Sequence, residues 1–127
     1  MKAYISLITV IIVSFVAVGI TVTFIMLGIG ATQTSESLEL SIKAKALADA
    51  CAQDGLETIR ENTSYTGTTN LSLGEGNCSF TVTNQGGEVR RIEVTGTVDT
   101  VIRKVLITTS QLNPQILISS WQEVADF

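Results

Sequence analysis

Residues 3–35 read AYISLITVIIVSFVAVGITVTFIMLGIGATQTS, and this stretch decides the fold. It holds no Asp, Glu, Lys or Arg. Its apolar part, Tyr4 to Ala31, is roughly 28 residues, whereas a helix needs only about 20 to cross a bilayer. Inside hydrocarbon every backbone N–H and C=O must be satisfied within the segment, so it is expected to be helical. Its many Ile, Val and Thr residues would lower helix propensity in water, and lipid overrides that preference. Lys2 precedes the run and Glu36 follows it. Basic residues stay on the cytoplasmic side, so the N-terminus is expected inside and the remainder exported. A removable signal has an apolar core of only about 7–15 residues and a small-residue cleavage motif. Gly28-Ile29-Gly30-Ala31 matches that motif poorly, so the helix is expected to be retained in the cytoplasmic membrane.

Gly19, Gly28 and Gly30 lie within the apolar run. Glycine serves close helix packing in membranes. At Gly28-Ile29-Gly30 it equally suits a softened joint where the helix leaves lipid.

After residue 35 the chain becomes amphipathic. SESLELSIKAKALADACAQDGLETIREN has no Pro and many strong helix formers. Leu40, Ala44, Leu47, Ala48, Cys51, Ala52, Gly55, Leu56 and Ile59 fall on one helical stripe, and most charged residues lie off it. Glu39 and Lys43 form an i, i+4 pair in the favourable order. The simplest pattern is one helix from near Tyr4 to near Glu61, with a break at Gly28–Thr34 as the alternative.

Asn62 to Thr69 is turn chemistry and stops the helix. Strand signals follow. Asn70 to Leu73 is short, and Gly74-Glu75-Gly76 is a turn. Residues 77–83 alternate, with Cys78, Phe80 and Val82 on one face. Asn84-Gln85-Gly86-Gly87 is a hairpin turn. Residues 88–98 alternate again, with Ile92, Val94 and Val98 inward. A turn at Asp99-Thr100 leads into a third strand, Val101 to Ser110. The pattern predicts an antiparallel meander of three or four strands. In the tail, Asn113-Pro114 stops a strand, Gln115-Ile116-Leu117-Ile118 is expected to extend along the sheet, and Trp121 and Phe127 are expected to pack over a sheet edge or meet a neighbouring subunit.

One face of such a sheet must be covered, and the stripe on the second half of the helix is the available cover. The expected fold is therefore α+β: a long N-terminal helix, membrane-spanning in its first half, packed by its second half on a small antiparallel meander. Cys51 lies on the stripe, and Cys78 points with Phe80 and Val82. An oxidising compartment beyond the membrane favours a disulfide between them, joining helix to sheet. It would close a loop worth about 3 kcal/mol in the chain-entropy model. The chain thus divides into a leader (1–3), a core helix (4–34), an amphipathic half (35–61) and a sheet domain with a C-terminal tail (62–127).

The sequence has 127 residues, enough for one small domain plus the anchor. A net charge of −4 argues against a nucleic-acid partner, which wants a basic face. There is no His, which removes imidazole metal sites and Ser/His or Cys/His catalysis. Glu75, Glu88, Glu93, Asp99, Glu123 and Asp126 show no spacing that marks an acid–base pair. Gly74-Glu75-Gly76 and Gly86-Gly87 are turns rather than phosphate loops. Neither an enzyme nor a cofactor is expected. Asn62, Asn70 and Asn77 begin N-x-S/T triplets, which chance explains in so Thr- and Ser-rich a chain.

The short basic leader, the uncharged helix running into an amphipathic half, and the disulfide-stapled meander together resemble the type IV pilin and pseudopilin family. More narrowly the chain looks like a minor, PilX-like pilin subunit, its sheet carried by Arg90-Arg91-Ile92-Glu93-Val94-Thr95-Gly96-Thr97 and Val101-Ile102-Arg103-Lys104-Val105. The resemblance implies cleavage by a prepilin peptidase after Ala3, leaving Tyr4 as a methylated mature N-terminus. The family's acidic residue, fifth in the mature chain, falls at Ile8, so the departure points to a minor, initiating or tip subunit. The implied partners are membrane lipid, identical or related pilin subunits through the helix, and the inner-membrane assembly machinery. The filament-core helix would carry Ile8, Phe15, Gly19, Phe24, Gly28 and Gly30. The resulting expectation is a structural subunit of a surface filament or periplasmic secretion pseudopilus. The alternative is a single-pass anchored binding or adhesion module that does not polymerise.

Overall fold

The computed structural model describes residues 1–127. One helix, α1 (Lys2–Glu61), is followed by β1 (Gly67–Leu73), β2 (Gly76–Gly86), β3 (Val89–Val98), β4 (Val101–Gln111) and β5 (Leu117–Val124). The helix is unbroken from Gly28 to Thr34, so the two-helix alternative is not adopted. The chain forms two compact units, Met1–Ser37 and Leu38–Phe127, divided close to the sequence boundary at 34/35.

The first unit is helix alone, and all of its residues are exposed. It is long and apolar enough to cross a membrane. Six of its hydroxyls, those of Thr9, Ser14, Thr21, Thr23, Thr32 and Thr34, bond back to the helix's own carbonyls. Ser14 donates to the Val10 carbonyl at 2.8 Å, Thr21 to Ala17 at 2.6 Å and Thr23 to Gly19 at 2.9 Å. These hydroxyls are thereby paired within the helix, as an apolar surround requires.

In the second unit the helix covers one face of the sheet. Ala44, Leu47, Ala48, Cys51, Ala52, Gly55 and Ile59 are buried, with Leu40 and Leu56 flanking them, which is the stripe the sequence predicts. The facing core comes from alternate strand residues: Cys78, Phe80 and Val82 in β2, Ile92, Val94 and Val98 in β3, and Val105 and Ile107 in β4. Small helix residues let the layers approach closely. A β-carbon on Gly55 would stand 3.2 Å from the Phe80 ring, so the missing side chain makes room for that ring.

The sheet corrects the strand count. It is a five-stranded antiparallel meander in sequence order, not three or four strands. β1 begins at Gly67, inside the residues expected as turn, because Thr68 and Thr69 pair with Thr81 and Phe80. Thr suits an exposed edge strand as well as a turn. The tail is also a strand: β5 pairs with β4 from Leu117 to Val124. The hairpin after β2 is tighter than predicted. The ladder continues to Gly86↔Val89 after an irregularity at Asn84/Gly86, and Gly86 and Gly87 take φ of 108° and 57°.

Candidate assembly surface

The largest uncovered apolar surface of the chain is the first unit. A water-exposed run of Ile, Val, Leu and Phe this long requires a partner phase, either lipid or other helices. Phe15 is 75% exposed and Phe24 70%, and Tyr4 and Ile8 are open as well. Apart from the glycine, its chain neighbours and the surrounding helix backbone, no atom lies within 4 Å of where a β-carbon would stand at Gly19, Gly28 or Gly30. These positions therefore offer the chain's own backbone to a neighbour. Each carries a threonine four residues on, in Thr23, Thr32 and Thr34, whose hydroxyl bonds back to the glycine carbonyl at 2.9, 2.9 and 3.0 Å. Ala3 and Tyr4 sit in the first helical turn, where the Tyr4 and Ile5 N–H groups donate to the Met1 carbonyl at 3.2 and 3.3 Å.

Cys51 and Cys78 are disulfide-bonded with their Cα atoms 6.2 Å apart, and both are buried. The bridge ties the helix stripe to β2, as the two periodicities predict. It is a staple of the fold and lies away from any exposed surface.

The outer face of the sheet is uncovered and, over β1 and β2, polar. Thr68, Asn70 and Ser72 of β1 stand beside Thr81, Ser79 and Asn77 of β2, and Thr95 and Thr97 of β3 continue the array. The carboxylates considered as catalytic candidates are dispersed. Glu93 pairs with Arg91 at 2.9 Å, Glu123 with Arg103 at 3.0 Å and Lys45 at 3.7 Å, and Glu75 with Lys43 at 3.9 Å. Glu88 accepts from the Leu112 N–H at 3.1 Å, and Asp99 holds a positive φ in the β3–β4 turn. Glu39 and Lys43 pair at 2.9 Å, as predicted. The hydrogen bond from Lys43, then its charge, holds the Glu39 carboxyl below its ordinary 4.5. Reciprocally, Glu39 holds the Lys43 ammonium above its ordinary 10.5, with Glu75 adding to the effect. The hydrogen bond from Lys104 lowers Asp126 from 3.8, helped by the Phe127 N–H and the Lys104 charge.

Sequence reasoning missed Arg90. It is only 7% exposed, on the covered side of β3. Its Nη1 donates to Asn84 Oδ1 at 2.9 Å and to the Gly87 carbonyl at 2.8 Å, and its Nη2 donates to the Thr63 carbonyl at 3.0 Å. It therefore latches the β2–β3 hairpin to the loop that ends α1. The signal was available, since Arg90 shares the inward parity of Ile92 and Val94.

No protein-family model, curated protein or solved structure matches the chain.

Proposed function

We propose that this chain is a structural subunit of a type IV pilus-like surface filament or secretion pseudopilus, assembled through its apolar N-terminal helix. The observation that carries this role is the complete exposure of residues 1–37, an apolar helix with no covering partner in its own chain. Such a helix exchanges lipid for neighbouring helices at little net cost, because packing, rather than hydrophobic burial, drives association in the bilayer. Repetition of one head-to-tail contact without closure gives a helical filament. Before assembly the helix anchors the chain in the cytoplasmic membrane with Lys2 inside, and the disulfide domain folds on the oxidising side. Processing after Ala3 and methylation of Tyr4 follow from the pilin resemblance. With Ile8 where the family carries an acid, a minor, initiating or tip position suits the subunit better than the repeating one.

The uncovered, Thr-rich outer face of the sheet favours a second role, a tethered adhesion module whose helix serves only as an anchor. The two roles diverge in electron microscopy of cells with and without the gene. A filament subunit predicts loss of surface fibres, or their shortening, and restoration by the wild-type chain but not by a Phe15→Lys variant. Unchanged fibres with a chain that stays monomeric in detergent would leave the tethered module.

A further inference from the structure

Among the three N-x-S/T triplets, the fold separates one from the others. Asn70 and Asn77 are locked in the sheet: Asn70 pairs with Ser79, and Asn77 pairs with Ser72 on one side and Thr97 on the other. Cys78, the middle residue of its triplet, is held by the disulfide. The backbone of Asn70 cannot bend into an enzyme's acceptor cleft without breaking the β1–β2 ladder, nor that of Asn77 without dismantling β2. Asn62 is different. It is exposed and lies outside every strand, in the turn that ends α1. Its N–H still closes the helix on the Thr58 carbonyl at 3.0 Å, and its own carbonyl accepts the Tyr65 N–H at 3.0 Å. Its side-chain Oδ1 accepts the Ser64 N–H at 3.1 Å, an Asx turn, while the amide nitrogen of this exposed residue, Nδ2, bonds to nothing in the chain.

We infer that Asn62 is an N-glycosylation site, used on the folded chain, and that Asn70 and Asn77 are not. The turn accounts for Asn at 62 through the Ser64 backbone N–H alone. The Ser64 hydroxyl takes no part in it and is exposed, free to engage an acceptor cleft. The donor is a sugar chain linked through its anomeric carbon to a lipid-borne phosphate. Nδ2 forms a bond to that carbon, the carbon–oxygen bond to phosphate breaks, and the phosphate leaves with the electron pair. Nδ2 gives up one proton to a base on the transferase, and no oxidant or reductant is required. The site lies where the domain emerges from α1, so like the filament role it requires that the domain be exported.

The test is mass spectrometry of the full chain recovered from the membranes of its own cells, with electron-transfer fragmentation to place any added mass. Asn62→Gln should abolish the increment. Ser64→Ala should abolish it too while keeping the Asx turn, since the backbone N–H remains, and Ser64→Thr should restore it. Asn70→Gln and Asn77→Gln should leave it unchanged. Labelling of Lys45 on spheroplasts, whose outer envelope is opened, by an amine reagent that does not cross the cytoplasmic membrane reports export separately. A labelled chain with unmodified Asn62, or with sugar on Asn70 or Asn77, overturns the site and leaves export standing. An unlabelled chain overturns export, and the site with it.

Discussion

Gly96 of β3 lies directly beneath Ala48 of the helix: a β-carbon at 96 would come within 2.8 Å of the Ala48 backbone nitrogen and 2.7 Å of the Ala44 carbonyl oxygen. Helix and sheet backbones meet here with no side chain between them. Gly96→Ala must therefore lift the helix or bend the strand, an overpacking cost of about 1–3 kcal/mol, and Gly96→Val more. Urea unfolding of the full chain in detergent, followed by the fluorescence of the single Trp, Trp121, measures the loss. An unchanged midpoint in Gly96→Ala would show that the layers do not touch at this point.

The staple between Cys51 and Cys78 spans a sequence separation of 27. Replacing both with Ala should lower stability by about 3 kcal/mol. Because both sulfurs are buried, a reductant should leave the folded chain intact and act only as urea opens it. Thiol trapping with and without urea reads this directly, and rapid reduction of the native chain would contradict it.

Arg90→Met keeps bulk and removes the charged latch between the hairpin and the Thr63 carbonyl. It removes the charge-assisted bonds to Asn84 Oδ1 and to the Gly87 and Thr63 carbonyls, at a cost of about 1–3 kcal/mol. Hydrogen exchange should rise first at Asn84 to Val89 and at Thr63 to Tyr65. A rise spread evenly over the sheet would show that Arg90 is not a local latch.

Acid should affect the domain before base does. The Glu39 and Asp126 carboxyls are depressed in the folded chain, so their contribution is complete above about pH 4.5 and fades as pH falls through the lowered values. Lys43 is raised, so its contribution is complete below 10.5 and is lost only as pH climbs above that. With no His in the chain, the thermal midpoint should stay flat from about pH 6 to 9 and drop below about pH 4. Asp126→Asn should flatten part of the acid limb. A midpoint that moves across neutrality would contradict this assignment.

The helix and its buried stripe were legible in sequence because a 3.6-residue period over Leu40 to Ile59 is a long signal. The disulfide followed because two independent periodicities put both cysteines on facing surfaces. β5 was legible only at its start, within the Gln115 to Ile118 run expected along the sheet, and the register explains why the rest was not. Ile118 sits opposite Thr109 and Ser120 opposite Thr108, so Ser119 is extra, and the apolar Ile118 and Trp121 fall out of a two-residue alternation. β1 was truncated because its Thr-rich start reads equally as turn. Arg90 was overlooked because a charged residue at an inward position is read as surface unless its hydrogen-bond partners are seen. The exposed helix was the clearest part of the candidate surface, since no core in the chain could absorb it.

The most direct test of the assembly role is the intact mass and N-terminal sequence of the chain in material sheared from the cell surface. A filament subunit predicts a chain that begins at Tyr4, carries one added methyl group and sediments with fibres. A chain that keeps Met1 and never sediments with a fibre would contradict it.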